Sequence, residues 1–167
     1  STGITGDNLK EFEGVMKEIY ADNFGENMQD VAESMALVQK NSRLIDPAET
    51  KKVTEYALAL RDTFGYDIQE QMRAANMLMD QFGITSDEAF NLIAQGAQDG
   101  WLDKNGDMLD SINEYSVHFK QLGLDAESMF NSLANGAYSG AFSVNKCGDA
   151  IKEFGIRVKD GTADDAF

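Results

Sequence analysis

The sequence predicts an all-α fold: a compact array of about eight short helices, built from αα-hairpins, with a weak repeat of about 40 residues. Three observations predict it. Apolar residues recur at three- and four-residue spacing along most of the chain. Pro47 is the one proline in 167 residues, eight residues are Met, and β-branched runs are few, a balance that favours helices over strands. A glycine or Gly-containing turn follows each periodic segment, where a helix needs a stop.

Asp7 opens the first segment, in which Phe12, Val15, Met16, Ile19 and Tyr20 share a face, and "NFG" ending at Gly25 closes it. The second carries Met28, Val31, Met35 and Val38 inward. "DPAE" then supplies an N-cap at Asp46, proline at the first helical position and Glu49 as the capping-box partner. Val53, Tyr56, Leu60 and Phe64 continue that stripe to Gly65. A fourth helix runs from about Asp67 to Gln81, with Ile68, Met72, Ala75 and Met79 inward. Thr85 caps a fifth, carrying Ala89, Phe90 and Ile93. After the loop "QDGWLDKNG", Asp107 starts a sixth with Leu109, Ile112, Tyr115 and Phe119 on its apolar side. "GLD" opens a seventh with Met129, Phe130 and Leu133. The eighth spans roughly Val144 to Phe154, with Ile151 and Phe154 inward.

Residues 83–102 and 123–142 match at seven of twenty positions, an offset of 40 and the length of a helix pair. "FGENMQ" at 24 and "FGYDIQ" at 64 keep the same offset. These echoes suggest one helical domain over 1–167, with sub-repeats near 24–82, 83–122 and 123–160. "GTADDAF" at 161–167 repeats the capped start "GITSDEAF" of 83–90. A capped first turn there is expected to lead into a further helix, so the segment reads as part of a longer chain.

The net charge of −15 is spread evenly: residues 1–83 hold 8 basic and 15 acidic side chains, and residues 84–167 hold 6 and 14. Such a surface repels nucleic-acid backbones and anionic lipid. Cys147 is alone, so an intrachain disulfide is excluded and nothing points to an oxidising compartment. No apolar run approaches a membrane span. The chain reads as soluble and made in a reducing cytoplasm.

One stretch invites a metal. "DKNGDMLDSINE" places Asp103, Asn105 and Asp107 at alternate positions with Glu114 twelfth, the spacing of an EF-hand loop. The sixth position of such a loop needs glycine for its turn, yet here it is Met108, and Gly106 stands fourth. The eighth is Asp110 where an apolar residue belongs, and no sister loop exists in the sequence. A turn followed by a helix accounts for every residue: Gly106 makes the turn, Asp107 caps, Asp110 favours the positive helix end and Glu114 is solvated.

Other chemistry is thinner still. His118 has no Ser or Cys beside it that suggests a dyad. Cys147 fits a half-buried filler, and Trp101 a cover for a helix pair or a contact anchor. The acid pairs Asp164–Asp165 and Asp110/Glu114 carry no sign of facing each other across a cleft. Phosphate loops, zinc clusters and nucleophile elbows do not occur. No catalytic, cofactor-binding or metal-binding residue is assigned.

Three blocks resemble a known family: NEYS-x-x-F-K-Q-L-G (Asn113 to Gly123), G-A-x-S-G-A-F (Gly136 to Phe142) and K-x-G-D-A-I-K-E-F-x-I-R-x-K-D-G (Lys146 to Gly161). With "IYADNFGENMQDVAESMALVQ" at 19–39, they are similar to stretches of tail tape measure proteins of long-tailed bacteriophages and prophages. The resemblance implies a structural virion protein without catalytic activity here, contributing to tail assembly and length. It implies tail tube, tail assembly chaperone and tail tip partners, and a place in the virion tail after assembly in the host cytoplasm. Self-association stays open. A fully helical rod gains ~1.5 Å per residue, ~250 Å over this segment. Glycine-broken helices instead suit a folded module, or one that unravels when packed in a tube. Two other readings remain: a calcium-binding, EF-hand-like helical protein, and a helical-repeat interaction adaptor.

Overall fold

A computed structural model describes residues 6–42, 46–99, 107–138 and 152. Among them stand seven α-helices and no strand: α1 (Gly6–Ala21), α2 (Met28–Lys40), α3 (Pro47–Phe64), α4 (Ile68–Phe82), α5 (Ser86–Asp99), α6 (Met108–Gln121) and α7 (Ala126–Tyr138). The all-α expectation holds with seven helices rather than about eight. The eighth, expected over Val144 to Phe154, lies outside the described residues apart from Lys152, which is helical.

Helix starts follow the short polar side chains. Asn27, Asp67, Thr85 and Asp125 each accept a hydrogen bond from the backbone N–H three residues on, at 2.7 to 3.2 Å. Asp46 accepts from Ala48 N, with Pro47 at the first turn. These bonds satisfy donors that an α-helix leaves orphaned. The helix stops divide between two residue types. Gly65, Gly83 and Gly123 take positive φ after α3, α4 and α6. After α1 the left-handed residue is Asn23 (φ 72°), so the expected stop at Gly25 belongs to the next turn. Asn23 N–H reaches Tyr20 O and Phe24 N–H reaches Ile19 O, closing the paired bonds of a Schellman end. Gly25 is needed for space as well as for φ 82°: a Cβ there would sit 2.6 Å from Val31 Cγ2.

The chain divides into two units, residues 1–73 and 74–167, a division that falls within α4. In the first unit α1, α2 and α3 each pack against the other two. Phe12, Val15, Ile19, Val31, Met35, Val38, Val53, Ala57, Leu58 and Leu60 are buried there. The expected stripes shift at three places. Tyr20, Met28 and Phe64 are exposed. Tyr20 follows Ile19 by one residue and so turns about 100° from the buried face. Met28 and Phe64 sit in terminal turns, and the Phe64 ring stacks on Tyr66 with centroids 5.8 Å apart. Because α3 meets two helices, its buried face widens to include Thr50 and Thr54. Thr54 Oγ1 donates to Thr50 O at 2.7 Å, which satisfies a buried hydroxyl locally. Gln71, fully buried at the start of α4, donates through Nε2 to Ala57 O and Tyr66 O, both at 3.0 Å.

In the second unit α5, α6 and α7 also pack pairwise. Their core is Phe90, Ile93, Met108, Ile112, Tyr115, Phe119, Met129 and Leu133. Every inward residue expected on these three helices is buried. Residues forty apart in α5 and α7 share their environment: Ala89 and Met129, Phe90 and Phe130, and Ile93 and Leu133 are buried, while Asn91 and Asn131 are exposed.

Phe119 has no exposed surface and sits among three helices. Phe119→Ala is expected to cost about 3–5 kcal/mol. Urea unfolding followed by circular dichroism measures it, and a loss under about 1 kcal/mol contradicts the packing described.

Candidate functional site

The polar side chains best held in the first unit tie helices together. Arg61, in the last turn of α3, reaches Asp30, in the first turn of α2, across 31 residues of sequence. Its Nη1 donates to Asp30 Oδ1 and its Nη2 to Oδ2, both at 2.8 Å, a two-pronged geometry specific to guanidinium and carboxylate. Asp30 Oδ2 also accepts from Glu26 N at 2.9 Å, and Arg61 Nε donates to Asp62 Oδ1 at 2.9 Å. Charges at these helix ends oppose the local dipole favourably, acid at the amino end and base at the carboxyl end. The Arg61 guanidinium holds the Asp30 carboxyl at about 2, below the ordinary 3.8, and Asp30 in turn holds Arg61 above its ordinary range.

This pair borders a recess of about 380 Å³ lined also by Glu33, Leu37, Tyr66 and Asp67. In the second unit a trough follows the seam of α5 and α7, with adjoining volumes of about 370 and 120 Å³ that share Leu92, Gln95 and Glu127. Carboxylates, the Arg61 guanidinium, the Ser34 hydroxyl, the Tyr66 ring and aliphatic groups line the recess, and carboxylates, amides and apolar groups line the trough.

Of the residues singled out in the sequence, those described form no common site. Asp103, Asn105 and Gly106 lie outside the described residues, as do Trp101, Cys147, Asp164 and Asp165. Asp107 stands at the N-cap of α6, but its side chain makes no capping bond, which corrects the cap expected there. Its ψ of 12° departs from the extended backbone of the capped Asn27 and Asp46, the geometry that aims a cap side chain at the helix amides. Asp110 and Glu114 are exposed one turn apart, so they face water rather than each other across a cleft. Met108, the sixth place of the calcium-like spacing, is buried in the core. His118 is half-buried in the last turn of α6. Among the described residues no group of three or more His, Cys, Asp or Glu could hold a metal ion. No described helix is long and apolar enough to cross a membrane.

The family-like block Asn113 to Gly123 has a structural meaning. Tyr115, Ser116 and Phe119 face the core, and Gly123 (φ 77°) ends α6 with bonds from its own N–H to Lys120 O and from Leu124 N–H to Phe119 O. The motif encodes packing and a helix stop. A family model described as phage-related minor tail protein matches residues 19–167. The chain belongs to the phage-related minor tail protein family. A probable tape measure protein of Streptomyces phage phiC31 is 36% identical over 80 residues, covering 39% of this chain and 11% of the relative. The chain thus matches a small part of that relative's length. No solved structure matches it. The likeness to tape measure proteins read from the sequence agrees with both matches.

Sequence reasoning missed Arg61 and Asp30, and it had no local signal to use, since the partners are 31 residues apart. Asp30 ionises more readily in the folded chain than in the unfolded one. Its contribution is therefore complete above pH 3.8 and is lost as pH falls from 3.8 towards about 2. Arg61→Met is expected to lower stability at pH 7 by about 1–2 kcal/mol and to flatten that acid-side loss. Thermal melts of both proteins between pH 2 and pH 7 measure it; parallel pH profiles contradict it.

Proposed function

We propose that this chain is a structural module of a phage tail tape measure protein, contributing to tail assembly and length determination without catalysing a reaction. The observation that carries the reading is the family match across residues 19–167. The kind of residue that the family-like block is made of supports it, because Tyr115, Ser116 and Phe119 are packing residues. Its partners are the tail tube, tail assembly chaperone and tail tip proteins, met in the host cytoplasm and retained in the virion tail. An evenly acidic surface of net −15 disfavours nucleic acid as a ligand.

The short helices favour a folded module over an extended rod. The longest, α3, has 18 residues, about 27 Å of rise. An in-frame deletion of the segment in the phage, with tails measured by electron microscopy, tests both parts. Tails that assemble but are shortened by well under ~250 Å are expected. A shortening near ~250 Å means that the segment runs extended in the tail. Normal assembly at unchanged length and unchanged infectivity contradicts the structural role.

The calcium-binding alternative is expected to fail. Its spacing puts buried Met108 where the loop needs glycine. Isothermal titration of the chain with calcium is expected to show no saturable heat below the millimolar range, and sub-millimolar binding reverses that expectation.

A further inference from the structure

The carboxyl end of α1 carries no basic residue in its last turn, although a helix end of that polarity favours one. Instead it presents Glu18, and Asp22 follows directly after it. Both turn towards Lys51 on α3: Lys51 Nζ lies 3.5 Å from Glu18 Oε2 and 3.3 Å from Asp22 Oδ2. A third carboxylate, Glu55 of α3, has its Oε1 3.9 Å from the same ammonium. Three acids around one base leave two surplus negative charges when all are ionised. They also gather at the negative pole of α1.

The three acids are not equivalent. The Glu18 and Asp22 side chains are 62% and 48% exposed, whereas Glu55 is 21% exposed. Glu55 Oε1 is sealed from solvent and makes no hydrogen bond. A charged oxygen in that position is costly, and a proton on the same carboxyl removes the cost. The charged groups acting on Glu55 are Asp22 and Glu18 from the α1 side and Lys51 from its own helix.

We propose that a proton held between Glu55 and Asp22 latches the carboxyl end of α1 onto α3, so that α1 docks more tightly in mild acid than at neutral pH. The electrostatics agree with the geometry. Burial first, and then the neighbouring Asp22, pushes the Glu55 carboxyl up, while the adjoining Glu55 carboxyl, followed by Lys51, pulls Asp22 down. A group raised in the folded state stabilises fully below its unfolded value, here 4.5, and that contribution is lost as pH rises through the folded value. The window therefore opens above pH 4.5 and runs towards neutrality, on the opposite side from the Asp30 effect.

Carbon-13 carboxyl titration of the full chain reads the proton directly. A midpoint for Glu55 above 4.5 is expected, and one at or below 4.5 overturns the proposal. Amide exchange, corrected for the intrinsic pH dependence, reads the docking. Wild-type α1 is expected to lose protection between pH 5 and pH 7.5 as the Glu55 carboxyl gives up its proton. Glu55→Gln, whose amide N–H can donate as the protonated carboxyl O–H would and which carries no charge, is expected to hold the acid-level protection at both pH values. Equal pH dependence in wild type and Glu55→Gln overturns the latch. If Glu55→Gln does not fold, Asp22→Asn serves the same comparison and is expected to flatten the profile in the same way.

Discussion

A helix of 13 to 18 residues leaves a large share of its backbone unpaired at its two ends, and the architecture depends on how those ends are closed. Four starts are closed by one short polar side chain bonding three residues on, and Asp46 closes another beside Pro47. Three stops turn on a left-handed glycine and one on Asn23. With the ends satisfied, the chain reverses within a few residues and lays one amphipathic face against the next. Without them, helices this short are marginal in water.

Packing then assigns the energies. In each unit three helices meet one another pairwise, and most of the residues sealed from water are aliphatic, aromatic or methionine. Two of the hydroxyls drawn into the interior are bonded one turn back, Thr54 to Thr50 O and Ser116 to Ile112 O. The ionic contacts of the first unit join elements distant in sequence. Arg61 ties α3 to the start of α2, and Lys51 ties it to the end of α1. Helix α3 is the common partner of both ties.

The described residues bring together no metal-ligand cluster, and the family-like block among them is built for packing. A motif that recurs because it packs and stops a helix needs no nucleophile, metal ligand or cofactor pocket. Residues 113–123 are of that kind, with three inward side chains and a terminal glycine. A structural role in a tail asks for defined shape and defined surfaces, both of which short, capped helices supply.

The sequence by itself determined the helical class, the caps at Asp46 and Thr85, and the burial of each inward residue it named on α5, α6 and α7. Those features are local, set by periodicity and by side chains a few residues apart. Periodicity erred at Tyr20, Met28 and Phe64, because it marks apolar residues without knowing where a neighbouring helix ends. The cap expected at Asp107 also failed, since a capping bond needs a backbone angle that residue type alone does not impose. Only the tertiary structure decided the pairing of Arg61 with Asp30 and the crowding of Glu18, Asp22 and Glu55 around Lys51. Charges 31 residues apart in a chain with 29 acids carry no label of their partner until packing brings two helix ends together.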